Sequence, residues 1–209
     1  MGRKHEAPLN TLNSFLPAGS YDLVMRYLLQ FKVHLTITRE RKSILGDYRF
    51  AINGKNHRIS VNGNLNPYAF LITLLHELAH LVAFLKYGNH IASHGKEWKL
   101  TYGEILHEFL QLGILPSDIT NEVKLTMKRP AAGSCAEDGL LRVLRRYDKG
   151  KNANKKLVEE IEPGNLFSTD DGRIFRRGDQ LRKRIRCLEV KTGKIYLFSP
   201  VFDVNPLKQ

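Results

Sequence analysis

The chain has 209 residues, enough for one domain with a hydrophobic core, or for one domain and a small second unit. Its composition, 42% hydrophobic and 26% charged, is ordinary for a globular protein. We expect no membrane partner and a cytoplasmic location, because no apolar run of 18 residues and no secretory signal are evident. Two cysteines are too few for a disulfide framework. The net charge of +12 favours polyanionic partners, although solubility explains it equally well.

The first sixty residues predict a helical region followed by a small sheet. Apolar side chains recur at helical spacing through residues 11–32. β-Branched or aromatic residues are frequent in three segments, which are residues 33–38, 47–52 and 57–61. A turn signal, Asn53-Gly54, separates the last two of these segments. We therefore expect a small antiparallel sheet. Such a sheet can bind an extended peptide along its edge, which is our hypothesis for a substrate.

Residues 67–87 predict the best-defined helix of the chain. Asn66 is a good N-cap, Pro67 suits the first helical position, and Gly88 is a natural stop. Between them apolar residues recur with a period near 3.6. At 1.5 Å per residue, the helix should be about 31 Å long.

This helix carries an HExxH motif, in which His76 and His80 are separated by four positions. Residues four apart lie on one helical face, so the two imidazoles can bind one metal ion. Glu77 lies about 100° round the helix, beside the ion, where a general base for a zinc-bound water is needed. The alternative is a buried histidine pair that binds no metal.

A catalytic zinc site usually has three protein ligands and one open position, so a third ligand is required. The next histidines are His90 and His94. We favour His94, because the chain can fold back after Gly88 and a following helix would fix the direction of the side chain. His90 is the weaker candidate, since it lies in a loop two residues after Gly88.

The chain after the motif predicts helices at 95–112 and 117–128, then a change of character. Residues 129–134 contain Pro and Gly and are the best candidate for a linker, with a short basic helix at 136–147 beyond it. We therefore divide the chain into a motif-bearing domain at 10–128, a linker with a short helix at 129–156, and a basic β-rich region at 157–209.

The C-terminal region combines short β-rich segments with basic and aromatic residues. Such a mixture can bind single-stranded nucleic acid. The alternative is that the aromatics form the core of a small sheet. The candidate nucleic-acid-binding residues are Arg173, Arg176, Arg177, Arg182, Lys183, Arg184 and Arg186. The prediction from this region is a possible DNA partner.

Two short motifs resemble those of the SprT-like metallopeptidase family: HELAH at residues 76–80 and, after a short loop, HGKEW at residues 94–98. The resemblance covers about residues 10–115. The resemblance implies one zinc ion bound by His76, His80 and His94, with Glu77 as the catalytic acid and base. It also implies hydrolysis of peptide bonds, often in proteins attached to DNA, and hence a role in DNA repair. Many members carry a C-terminal zinc ribbon with four cysteines, whereas this region has only Cys187. We therefore predict no structural zinc there.

These observations predict an α+β fold, with a zincin-like helical metalloprotease core and small antiparallel sheet followed by a small β-rich C-terminal region. The predicted function is that of a zinc-dependent endopeptidase acting on a protein or peptide substrate, and the resemblance extends this expectation to proteins associated with or crosslinked to DNA. One alternative is a non-catalytic nucleic-acid-binding protein that uses zinc structurally. A second is a metallohydrolase that acts on something other than peptides.

Overall fold

A computed structural model describes residues 9–41, 44–51, 54–128, 138–150 and 154–207. It divides into two compact units, Met1–Tyr147 and Asp148–Gln209. The fold is mixed α and β, with helices and a small sheet in the first unit and a larger β region in the second. The predicted linker at 129–134 lies outside the described residues.

The described part of the first unit begins with a short 3-10 helix and ends with three helices that follow the motif-bearing helix. Its elements are the 3-10 helix Leu9–Phe15, α1 (Tyr21–Gln30), β1 (His34–Thr38), β2 (Gly46–Arg49), β3 (Arg58–Asn62), α2 (Pro67–Tyr87), α3 (Lys96–Leu110), α4 (Ser117–Lys128) and α5 (Asp138–Arg145). The predicted first helical region is therefore two shorter helices.

Helix α2 forms the centre of the first unit. The Asn66 side chain accepts hydrogen bonds from the backbone N–H groups of Tyr68 and Ala69, at 3.1 and 3.0 Å, and Gly88 ends the helix with a positive φ of 79°. Its side chains are apolar on nearly every face, as expected of a helix surrounded by its own fold. By length and composition α2 could cross a membrane, but 78% of its most apolar window is buried inside the protein. It is the core helix of this unit.

The small sheet has the strand order β1-β3-β2. The prediction of an antiparallel sheet is wrong for one pair: β2 and β3 are antiparallel, but β1 and β3 are parallel. The reason is that β2 lies between them in sequence and serves as the connection that brings the chain back in the same direction. Among the described strands, β2 pairs with β3 alone, so it is an edge strand.

A partly buried polar network joins Arg41 and Ile44, which precede β2, to Asn62 of β3. The Arg41 Nε–H donates to the Asn62 Oδ1 atom at 2.8 Å, and the Asn62 Nδ2–H group donates to the carbonyls of Arg41 and Ile44, both at 3.1 Å. The Thr38 hydroxyl donates to the same Asn62 oxygen at 3.0 Å. Asn62 therefore fixes the start of β2 relative to β3.

Helix α5, which the sequence analysis placed within the linker, packs in the first unit. Leu140 and Leu144 are buried in its core. The Asn66 side chain also donates to the Leu144 carbonyl at 2.9 Å, and Tyr147 packs edge-on against Tyr68. The side chain that caps α2 thus also anchors α5.

The second unit is a six-stranded antiparallel sheet with strand order β4-β9-β5-β6-β7-β8. Its strands are β4 (Lys156–Leu157), β5 (Leu166–Ser168), β6 (Ile174–Gln180), β7 (Ile185–Glu189), β8 (Ile195–Phe198) and β9 (Asp203–Pro206). Burial alternates along β7, which places Ile185 and Cys187 inside and Arg186 outside. Phe167, Phe175 and Phe198 form the aromatic part of its core.

Candidate metal centre

The HExxH motif lies in the middle of α2, one turn of which carries all three motif side chains. His76 and Glu77 are only 3% and 4% exposed, and His80 is half-buried. A glutamate is rarely buried to this degree without a specific environment. The rigid, well-packed helix fixes the direction of each side chain.

The structure brings His94 to the two motif histidines. Its Nε2 atom and that of His80 each lie 3.3 Å from the Nε2 atom of His76, and all three ligand atoms lie within 4.8 Å of one another. Two nitrogens bound to a tetrahedral zinc ion at about 2.0–2.1 Å would be about 3.3–3.4 Å apart. The donor set and its spacing therefore fit a zinc ion.

The environment keeps the three imidazoles in the neutral form that binds metals. Burial, together with the charges of His80 and His94, lowers the pKa of His76 to about 3. Burial and the neighbouring His94 lower the pKa of His80 to about 4. The pKa of His94 is also lowered, through burial and the charge of Lys99. Protons thus compete weakly with a metal for these nitrogens.

The Glu77 side chain lies against the start of β2. A Cβ atom built on Gly46 would lie 2.6 Å from the Glu77 Oε1 atom, 2.8 Å from its Cγ atom and 2.8 Å from the Thr73 Cγ2 atom. The backbone of β2 can approach the carboxylate this closely only because residue 46 has no side chain. Sequence analysis missed this contact, although a glycine within a strand signals such an approach.

Strand β2 and helix α2 run side by side in the same direction. Gly46 contacts the turn of α2 that carries Glu77. Further along, the Tyr48 ring is parallel to the His80 ring, with ring centres 6.5 Å apart. Phe50, just after β2, stacks on Phe84 with ring centres 5.3 Å apart. Two residues of a strand advance about 6.6 Å, and three or four residues of a helix advance about 4.5–6.0 Å, so the two elements stay alongside each other over these contacts. The edge strand therefore follows the metal site along its length.

Tyr48 is held in place by a histidine outside the metal cluster. The His57 Nδ1 atom accepts hydrogen bonds from the Tyr48 hydroxyl at 3.0 Å and from the Ala51 backbone N–H at 3.3 Å. Burial lowers the pKa of His57, which favours the neutral ring that accepts these bonds. Its role in the structure is to orient Tyr48.

Three further histidines lie apart from the cluster. His90 is exposed and is not among the three grouped histidines, and His34 and His107 are also exposed. Tyr87, which shares the metal-binding face on a helical wheel, is 41% exposed at the end of α2. Tyr102 instead packs edge-on against the His76 ring, with ring centres 5.5 Å apart.

The basic residues of the second unit differ in their surroundings. Arg173 pairs with Asp171 at 2.8 Å, Arg186 contacts Asp179 at 3.3 Å, and the Arg177 Nε atom is buried without an acceptor among the described residues. The remaining four candidates are exposed and form no salt bridge with a described residue: Arg176, Arg182, Lys183 and Arg184. The neighbouring aromatics Phe175 and Phe198 are buried.

Two imidazoles on α2 converge with a third that lies just before α3, and a buried glutamate directly follows the first. The three histidines are thus positioned to bind a metal ion, as in HExxH proteins. The SprT-like family model matches residues 20–128, which is just over half of the chain. The chain belongs to the SprT-like family. No curated protein and no solved structure matches it.

Proposed function

We propose that the protein is a zinc-dependent endopeptidase. The observation that carries the proposal is the convergence of the His76, His80 and His94 Nε2 atoms beside a Glu77 that is buried on the same helix. A site that serves only structure is normally closed by four protein ligands. Here the described residues supply a cluster of three, which leaves one position for water or substrate. Membership of the SprT-like family supports the same activity.

The residues of the chain would divide the chemistry between them. His76, His80 and His94 would hold the zinc ion, which supplies Lewis acidity and lowers the pKa of a water molecule to about 7 when bound. Glu77 would accept a proton from the attacking water and pass it to the leaving amine. Its contact with Gly46 restricts the positions that the carboxylate can adopt. The buried surroundings exclude bulk water from the proton transfer.

We further propose that a peptide substrate binds as an added strand along β2. This edge strand follows α2 past the site, with Gly46 beside Glu77 and Tyr48 beside His80. Its unpaired backbone groups would hydrogen-bond to an extended peptide and present a peptide bond to the metal. Replacing single peptide N–H groups with N-methyl groups should weaken cleavage at alternate positions. Equal cleavage of all the N-methylated peptides would exclude strand addition.

The proposed activity is tested by comparing wild type with Glu77→Gln. Both proteins should bind one zinc ion per chain, but the variant should cleave an unfolded protein substrate about 10²–10⁴-fold more slowly, since it lacks the acid and base. Glu104→Gln, at an exposed site on α3, is the matched control and should cleave at the wild-type rate. Zinc binding without peptide cleavage by wild type would favour a structural zinc protein or a hydrolase of another substrate class.

We also propose that the second unit binds DNA, which would direct the peptidase to DNA-associated proteins. The observation that favours this function is the consecutive exposed run Arg182, Lys183 and Arg184 in the connection between β6 and β7. Because Phe175 and Phe198 belong to the core, we expect phosphate contacts rather than base stacking. Binding should therefore depend steeply on salt and little on sequence.

Salt dependence provides the test of DNA binding. The double variant Arg182→Gln/Arg184→Gln should bind less tightly, with a log–log salt slope shallower by about 1.4–1.8, the value for two lost phosphate contacts. Lys124→Gln/Lys128→Gln removes the same charge from α4 and serves as the control. Equal effects of the two double variants would indicate attraction by net charge alone.

A further inference from the structure

Trp98 contacts all three imidazoles of the metal centre. It is the only tryptophan of the chain and is fully buried. Its ring centre lies 4.7 Å from that of His76, 5.2 Å from that of His80 and 4.7 Å from that of His94. Tyr102 stacks on the indole at 4.9 Å.

The four rings form a compact group with nearly equal separations. The three imidazole centres are 4.7–5.3 Å apart, which matches the distances from each of them to the indole of Trp98. The indole therefore closes one side of the imidazole triangle. We expect the ion's fourth ligand and the substrate on the opposite side.

The position of Trp98 follows from the helix that delivers the third ligand. His94 precedes α3 by two residues, and Trp98 lies in the first turn of α3, four residues after His94. Because α3 packs against α2, the fold places the indole beside His94 and against the two motif histidines. The Trp98 Nε1–H group is buried without an acceptor among the described residues, so the ring contacts rather than a hydrogen bond explain its placement.

We propose that Trp98 is a positioning residue that holds the three imidazoles in the arrangement that binds the metal. Ligand histidines need partners that fix their rotamers, and here one buried ring contacts all three. This inference rests on the metal site of the proposed function but concerns metal affinity and geometry, not peptide cleavage.

The test compares zinc affinity, measured by competition with a chromophoric chelator, in Trp98→Leu, Trp98→Phe and wild type. Loss of a group that orients metal ligands typically weakens metal binding about 10–100-fold, and we expect this for the leucine variant. Phenylalanine keeps a ring in place and should restore affinity to within about threefold of wild type. Phe109→Leu removes another buried ring of α3 and is the matched control.

The visible absorption spectrum of bound Co²⁺ gives a second readout, because it reports ligand geometry and is insensitive to global stability. We expect a changed spectrum in Trp98→Leu and a wild-type spectrum in Phe109→Leu. If Trp98→Leu does not fold, Trp98→Met takes its place, since methionine fills the volume without a ring.

Two results would overturn the inference while leaving the metal site intact. One is zinc binding by the leucine variant within threefold of wild type, and the other is equal weakening by Phe109→Leu. Absence of zinc binding by wild type in the same titration would instead remove the metal site itself, and the proposed function with it.

Discussion

Gly46→Ala should impair the proposed peptidase without removing its metal. The added methyl group would lie 2.6 Å from the Glu77 Oε1 atom and 2.8 Å from the Thr73 Cγ2 atom, well inside normal contact distances. Because Glu77 is buried, its carboxylate must move by roughly 0.5–1 Å, and a displacement of 1 Å can reduce a rate about 100-fold. We expect kcat/KM to fall by that factor, equivalent to about 2.7 kcal/mol, with one zinc ion per chain retained.

The control for this prediction is Gly103→Ala in α3, where an added methyl group would meet no atom within 4 Å. It should leave kcat/KM unchanged and stabilise the helix by up to about 1 kcal/mol. Steady-state kinetics and zinc analysis of both variants test the predicted fall in kcat/KM and the predicted retention of zinc. A wild-type kcat/KM for Gly46→Ala, or loss of zinc from it, would refute the reasoning that Gly46 positions Glu77.

Three further predictions concern stability and reactivity. Asn62→Ala should lower the free energy of unfolding by about 1–3 kcal/mol in urea titrations, because it removes a buried side chain that bonds the Arg41 guanidinium and the backbone carbonyls of Arg41 and Ile44. Cys187 is buried and its pKa is raised by burial, so Cys135→Ser protein should react with iodoacetamide only on unfolding. The metal-free protein should lose stability as the pH falls below about 6.5 towards 3, since the unfolded chain protonates His76 more readily.

Each of these predictions has a contradicting outcome. Asn62→Ala should be compared with Asn64→Ala at an exposed neighbouring position, and equal stabilities would exclude a role for the network. Rapid alkylation of Cys187 in native protein would contradict its burial in the second sheet. A free energy of unfolding that is constant between pH 7 and 5 in metal-free protein would contradict the lowered pKa of His76, whose contribution should approach about 1.4 kcal/mol per pH unit.

Local signals explain why the central helix could be predicted from sequence. Asn66, Pro67 and Gly88 determine where α2 begins and ends, and the structure gives the predicted bounds. The spacing of His76 and His80 follows from the helix itself. The structure also brings His94 rather than His90 to this pair, as the direction of the following helix suggested.

Contacts between distant segments explain what sequence analysis missed. The parallel pairing of β1 with β3 depends on how the chain returns through β2, which no local pattern specifies. Only the tertiary fold brings Gly46 close to Glu77. The same is true of the packing of Trp98 against the three histidines. Likewise, α5 contributes Leu140 and Leu144 to the core of the first unit, although it follows the Pro- and Gly-containing stretch 129–134 and was grouped with it.

The zinc content of purified wild type, His94→Ala and His90→Ala tests the central claim most directly. The account predicts one zinc ion per chain in wild type and in His90→Ala, because His90 is exposed and lies outside the cluster. It predicts a clear loss in His94→Ala, which lacks the third imidazole. Full zinc in His94→Ala, or loss of zinc from His90→Ala, would contradict the three-histidine site.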